Sequence, residues 1–133
     1  MRYPLDTNIL SALVRSPRGL MAEQIRRVGE TRVYTSVIVA AELRYDAARK
    51  GSERLSRQVE AVLGSIPIEP WREPFDRTYA EQRLELERAG TPIGANDGLI
   101  GAQALADGSV LVTDNTREFE RITGLSIENW LRP

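Results

Sequence analysis

Two hydrophobic rhythms take turns along this chain. Short apolar runs bounded by turn residues predict strands at Arg2–Leu5, Arg32–Thr35, Ser65–Trp71, Val110–Thr113 and Leu125–Asn129. Between them, apolar positions three and four apart predict helices. The first starts at Asp6-Thr7-Asn8 and runs to about Val14, and the second spans Leu20 to about Gly29. Ser36 and Ser52 are good N-caps for helices running to about Arg49 and through Leu63, with Gly51 as the stop between them. Longer helices follow over Pro74–Ala89 and Asp97–Ala106, the latter capped by Ala95 or Asn96, and a short one over Thr116–Ile122. This alternation predicts one α/β domain over residues 1–133: a doubly wound, mainly parallel five-stranded sheet with helices on both faces, placed there by right-handed crossovers.

Composition narrows the chemistry that such a domain can perform. With 133 residues, 41% hydrophobic and 28% charged, the chain is suited to a single core. It contains no cysteine and no histidine. Those absences exclude disulfides, thiolate ligands, cysteine nucleophiles, Ser-His-Asp triads and nearly every zinc site. A catalyst built here must use carboxylates and other oxygen groups. Arg2 and the brief Tyr3–Leu5 run resemble neither a secretory leader nor the ~20 apolar residues of a membrane span, so a soluble cytoplasmic protein is expected.

Net charge is only −1, but it is unevenly distributed. From Arg15 to Arg57 ten basic residues face five acidic ones, and from Gln58 onward seven basic face thirteen acidic. All basic residues except Lys50 are arginines, which bind phosphate bidentately and stack on bases, although a genome-wide preference for arginine accounts for the same bias.

In open α/β sheets, ligands bind beyond the carboxyl ends of the strands. Asp6 ends the first predicted strand and Asp114 the fourth, while Glu42 lies two turns into the helix after strand two and Asp97 opens the helix before strand four. Taken alone, Asp6 reads as a helix cap, Asp97 as a favourable charge at a helix N-terminus and Asp114-Asn115 as a turn. Glu42 resists such a reading, because Val37-Ile38-Val39-Ala40-Ala41 and Leu43 surround it. Asp46, one turn on, reads as surface. Two carboxylates ~5 Å apart repel by about 3 kcal/mol at an effective dielectric of 20, so four gathered together require a cation. With oxygen ligands alone, Mg²⁺ or Mn²⁺ is expected. Such an ion would assist hydrolysis of a phosphodiester.

The motifs Leu5-Asp6-Thr7-Asn8, Ala41-Glu42-Leu43-Arg44-Tyr45, Pro92-Ile93-Gly94-Ala95-Asn96-Asp97 and Val112–Arg121, with Gly124-Leu125 and Glu128-Asn129-Trp130 at the end, resemble the PIN-domain toxins of VapC type. The resemblance runs from end to end. It implies a Mg²⁺- or Mn²⁺-dependent endoribonuclease, the toxin of a type II pair, neutralised by a VapB-type antitoxin. It also implies a homodimer, a larger toxin–antitoxin assembly that meets DNA only through the antitoxin, and initiator tRNA as a plausible substrate. Carried over by position, the family's first three acids are Asp6, Glu42 and Asp97. The fourth departs from the common Thr-x-Asp pattern, since this chain has Thr113-Asp114-Asn115. Asp114, Asn115 or Glu118 is left to complete the catalytic and metal-binding set, with Thr113 supporting the carboxylates from behind.

Other α/β classes fit less well. A receiver requires an Asp ending strand three and a late Lys, whereas this chain has Ile68-Glu69-Pro70 and only Lys50; a phosphatase requires a second Asp where Asn8 stands. No glycine-rich phosphate loop follows a strand. A catalytically inert PIN-fold binding module is the remaining alternative. Leu13, Val14, Leu20 and Met21 either complete the core or form an apolar docking patch.

Overall fold

The computed structural model describes residues 1–132. Its strands are β1 (Tyr3–Pro4), β2 (Val33–Ser36), β3 (Ile68–Glu69), β4 (Val110–Val112) and β5 (Ser126–Glu128). Helices α1 (Thr7–Arg15) and α2 (Leu20–Val28) lie between β1 and β2, α3 (Val37–Lys50) and α4 (Glu53–Leu63) between β2 and β3, and α5 (Phe75–Arg88) and α6 (Ala95–Asp107) between β3 and β4. The short α7 (Thr116–Phe119) precedes β5, and a 3-10 turn over Glu30–Arg32, absent from the predicted pattern, leads into β2.

Every strand pair is parallel, as expected, but the ladders form two pieces: β1-β2-β3 and β4-β5. A single bridge, Leu5 to Val112, joins them, supported by the Asp6 amide donating to the Val112 carbonyl and the Val110 amide donating to the Arg2 carbonyl, at 2.9 and 3.0 Å. β1 is short because the chain turns at Asp6 into α1. β3 is two residues long rather than the seven of Ser65–Trp71, because Pro67 and Pro70 lack the N–H a ladder needs.

Local chemistry fixes the helix ends. Ser36 Oγ accepts from the Ile38 amide and Ser52 Oγ from the Leu55 amide. Gly51 stops α3 in the left-handed region at φ 65°. α6 begins two residues earlier than predicted, with Gly94 at its cap position, because the Asn96 side chain turns toward Glu42 instead of capping the helix.

One core lies between sheet and helices, built on Leu5, Ile9, Leu10, Val39, Leu111 and Phe119. Gly101 lets α6 settle on the segment after β4, since a Cβ there would lie 2.5 Å from Ile122 Cδ1. Leu13, Val14 and Met21 belong to this core, which leaves only Leu20, 43% exposed, of the apolar patch considered above. Among the described residues no helix is long and apolar enough to cross a membrane.

Candidate active site

Asp6 is the residue at which β1 ends and α1 begins, and it is 97% buried, with 3% of its surface exposed. Burial of a carboxylate requires hydrogen bonds. The Thr7 amide donates to Oδ1 at 2.8 Å, and the Thr113 hydroxyl donates to Oδ2 at 2.7 Å. Thr113, itself fully buried and the residue that follows β4, accepts from the Asn115 amide at 3.0 Å. Asn8 Nδ2 reaches both Asp6 and Thr113 at 3.4 Å. Desolvation pushes the Asp6 carboxyl above its ordinary range; the hydroxyl of Thr113 and the amide of Thr7 oppose the shift, and the charge of Glu42 adds to it.

Glu42 projects from the middle of α3 toward the same edge. The Thr7 hydroxyl donates to its Oε1 at 2.8 Å, and Asn96 Nδ2 lies 3.4 Å from Oε2. Asp97 comes from the first turn of α6, and Asn115 Nδ2 donates to it at 3.0 Å. The same Asn115 amide donates to Glu118 Oε2 at 2.9 Å, while the Gly94 amide donates to Glu118 Oε1 at 2.9 Å. These two amides hold the Glu118 carboxyl below its usual range. The Asp97 carboxyl is pushed up to about 7, by desolvation first, then by its hydrogen bond with Glu118 and the negative charges of Asp6, Glu118 and Glu42.

Asp114 faces elsewhere. Its Oδ1 accepts from Asn129 Nδ2 at 2.9 Å and from Arg132 Nε at 3.0 Å, and both donors hold its carboxyl below the ordinary range. Its backbone amide donates to Asn8 Oδ1 at 2.9 Å, which fixes the loop after β4 against the start of α1. Thus Asp6, Glu42, Asp97, Asn115 and Glu118 share one neighbourhood, with Thr113 behind Asp6, while the Asp114 side chain turns to the C-terminal segment. Asp46 pairs with Lys50 at 3.1 Å and with Arg49, as a surface residue does.

Thr7 and Asn8, to which the sequence pattern assigns no part in the site, and Asn96, expected only as a helix cap, supply the hydroxyl and amides around the acids. The signal was local: Thr7 and Asn8 follow Asp6 at a helix start, and Asn96 precedes Asp97. Asp6, Glu42 and Asp97 enter no ion pair among the described residues. Nor does any group of three Asp or Glu side chains there stand close enough to hold a metal ion. Like charges with only neutral donors between them stay apart. The donor chemistry, oxygen throughout, nevertheless suits a hard dication.

Residues 3–125 match the PIN domain, and the chain belongs to that family. It is 36% identical over 132 residues to the ribonuclease VapC2 of Rickettsia felis, covering 98% of both chains. It is 32% identical over 131 residues to the tRNA(fMet)-specific endonuclease VapC of Salmonella typhimurium, again covering 98% of both. Its fold superposes with a TM-score of 0.90 on a chain of the crystal structure of VapBC2 from Rickettsia felis bound to a promoter DNA fragment, at 33% identity over 98% of this chain and 99% of that one. Within the PIN family it falls among the VapC ribonucleases, the toxins of VapBC toxin–antitoxin pairs.

Proposed function

We propose that this chain, as a single PIN-like domain over residues 1–133, hydrolyses RNA phosphodiester bonds with Mg²⁺ or Mn²⁺ held by Asp6, Glu42 and Asp97. The observation that carries the reading is electrostatic: three carboxylates from three elements face one edge of the sheet with no cationic partner among the described residues, and desolvation together with their mutual repulsion pushes Asp97 up to about 7. The two ladders act together as one doubly wound five-stranded sheet with helices on both faces, which brings β1 and β4 side by side.

When bound, the dication supplies charge that neutralises the phosphodiester oxygens and makes a water easier to deprotonate. The chain's own groups do the positioning. Thr113 and the Thr7 amide hold Asp6 in one rotamer, Thr7 Oγ1 and Asn96 steady Glu42, and Asn115 ties Asp97 to Glu118. Asn115 and Glu118 complete the site at its rim, and Asp114 contributes through the loop that it anchors. Arginines between Arg15 and Arg57 track the phosphate backbone.

In the cell the chain acts in the cytoplasm as a homodimeric toxin. A VapB-type antitoxin neutralises it and joins it in a larger assembly that reaches DNA through the antitoxin. The Salmonella relative favours a tRNA, initiator tRNA in particular, as substrate. The test is cleavage of tRNA and total RNA with Mg²⁺, with Mn²⁺ and with EDTA, by the wild type and by Asp6→Asn. Cleavage that needs the metal and the acid is expected; cleavage indifferent to EDTA or to the substitution overturns the reading.

A further inference from the structure

Helix α5 packs along α6, and a cavity of about 150 Å³ remains between them beside the acids. Tyr79, Gln82 and Arg83 line it from α5, with Ile93, Gly94 and Gly98 opposite. The wall is shared with the candidate active site: the Gly94 amide donates to Glu118, and Asn96 and Asp97 lie between Gly94 and Gly98. Gly98 is glycine for a steric reason, since a Cβ there would come within 3.1 Å of Tyr79 Cε2.

Gln82 is 6% exposed, and its Nε2 donates to the Gly98 carbonyl at 2.6 Å. Its Oε1, also buried, has no hydrogen-bond partner among the described residues. An unpaired buried carbonyl is an acceptor that favours an N–H. At the rim, Arg83 donates to the Tyr79 hydroxyl at 3.0 Å and to Glu87 at 3.3 Å, which holds an exposed guanidinium beside an aromatic ring. The volume is below the roughly 300 Å³ at which drug-sized pockets begin, so it suits one planar heterocycle rather than a whole nucleotide. Sequence-specific proteins read RNA by splaying bases out, stacking them on aromatic or guanidinium planes and hydrogen-bonding their edges.

We infer that this cavity receives one unstacked, amine-bearing base of the RNA next to the cleaved phosphate, with Gln82 accepting from the exocyclic amine and Tyr79 and Arg83 flanking the ring. The proposal rests on the ribonuclease reading. It makes Gln82 and Tyr79 specificity-determining residues, with adenine or cytosine, whose amine stands where uracil carries its O4 carbonyl, preferred over uracil.

The experiment uses an RNA stem-loop that the full-length wild type cleaves. Each of the three nucleotides on either side of the cut is replaced in turn by an abasic residue and by uridine. One position is expected to lose about tenfold in kcat/KM on either replacement. Gln82→Leu and the cavity-filling Ile93→Trp lower cleavage of the parent RNA similarly and become insensitive to replacement at that position, while keeping the wild type's Mg²⁺-induced rise in melting temperature. Arg83→Ala, on the exposed side of α5, weakens the abasic effect even if the buried substitutions fail to fold. Wild-type cleavage with no sensitive position, or a sensitivity unchanged in all soluble variants, overturns the base pocket while leaving the ribonuclease reading intact. Absence of any RNA cleavage by the wild type overturns both.

Discussion

Arg2 stands over the Tyr34 ring, its guanidinium carbon 3.9 Å from the ring centroid, and pairs with Asp107 at 2.9 Å and with Glu69. Tyr34 OH donates to Asp107 at 3.0 Å, and Ser109 also bonds to Asp107. Asp6, Glu42 and Asp97 use the same residue types on neighbouring strands and helices, yet among the described residues no arginine or lysine pairs with them. Where a protein supplies its own cation, a carboxylate cluster helps hold the fold together. Where it supplies only hydroxyls and amides, the cluster stores repulsion that an incoming cation relieves. The difference separates a structural polar network from a site.

The strongest way to break that contrast is Asp97→Asn. Loss of one carboxylate should cost several kcal/mol of transition-state stabilisation, a fall of about 10³-fold in single-turnover RNA cleavage. The metal-free melting temperature at neutral pH should hold or rise, because a like charge has gone. Cleavage within tenfold of the wild type would place Asp97 with the structural acids.

Metal and proton should compete for the same cluster. Mg²⁺ at 100 times its Kd should stabilise the folded chain by about 2.7 kcal/mol, read as a rise in melting temperature that Asp6→Asn abolishes. In EDTA, the folded Asp97 carboxyl sits at about 7 against the ordinary 3.8, so between those values the folded state holds a proton that the unfolded chain has released. Its contribution to stability is therefore fully present below about pH 4 and lost as the pH rises through 7, at most about 1.4 kcal/mol per pH unit. Urea melts from pH 4 to 8 should show this slope in the wild type and a shallower one in Asp97→Asn. A parallel pair of curves would remove Asp97 from the repelling group.

Much of this is legible in the sequence. Asp6 stood out because a strand run ends on it and a helix begins, and Glu42 because an acid interrupts an otherwise apolar helical stretch. The parallel α/β arrangement followed from alternating periods, and the stop at Gly51 from its position after a helical run. What stayed hidden depends on distant partners. Nothing near Asp114 in sequence announces that Asn129 and Arg132, 15 and 18 residues on, take its side chain. Asn96 resembled a cap because capping is the local default, and only the placement of α3 beside α6 offers Glu42 to its amide instead. The division of the sheet was equally obscure, because it turns on one bridge at Leu5.

A smaller effect is expected at the balanced cluster. Arg2→Met leaves Asp107 and Glu69 facing each other without their cation and removes the guanidinium from Tyr34. Because the Arg2 side chain is 42% exposed, solvent screens much of the loss, and about 1 kcal/mol of destabilisation is expected. Equilibrium denaturation should detect it. Cleavage per folded molecule should not change, and a change above threefold would link the two clusters.

Asp114 gives the finest test, because its position in sequence groups it with the site while its contacts group it with the balanced acids. It has its own cation, Arg132, and its own amide, Asn129. Asp114→Asn keeps the shape of the side chain and removes the charge that Arg132 answers. Cleavage should fall by less than about threefold, since exposed ion pairs contribute little. Glu118→Gln, which alters the carboxyl shared with Asn115 and Asp97, should cost about tenfold, as changes to groups that orient metal ligands do. Measured side by side in Mg²⁺, the two rates decide which residue after β4 completes the site. A hundredfold loss in Asp114→Asn with Glu118→Gln unimpaired would require the Asp114 side chain to leave Arg132 and turn inward when substrate and cation bind.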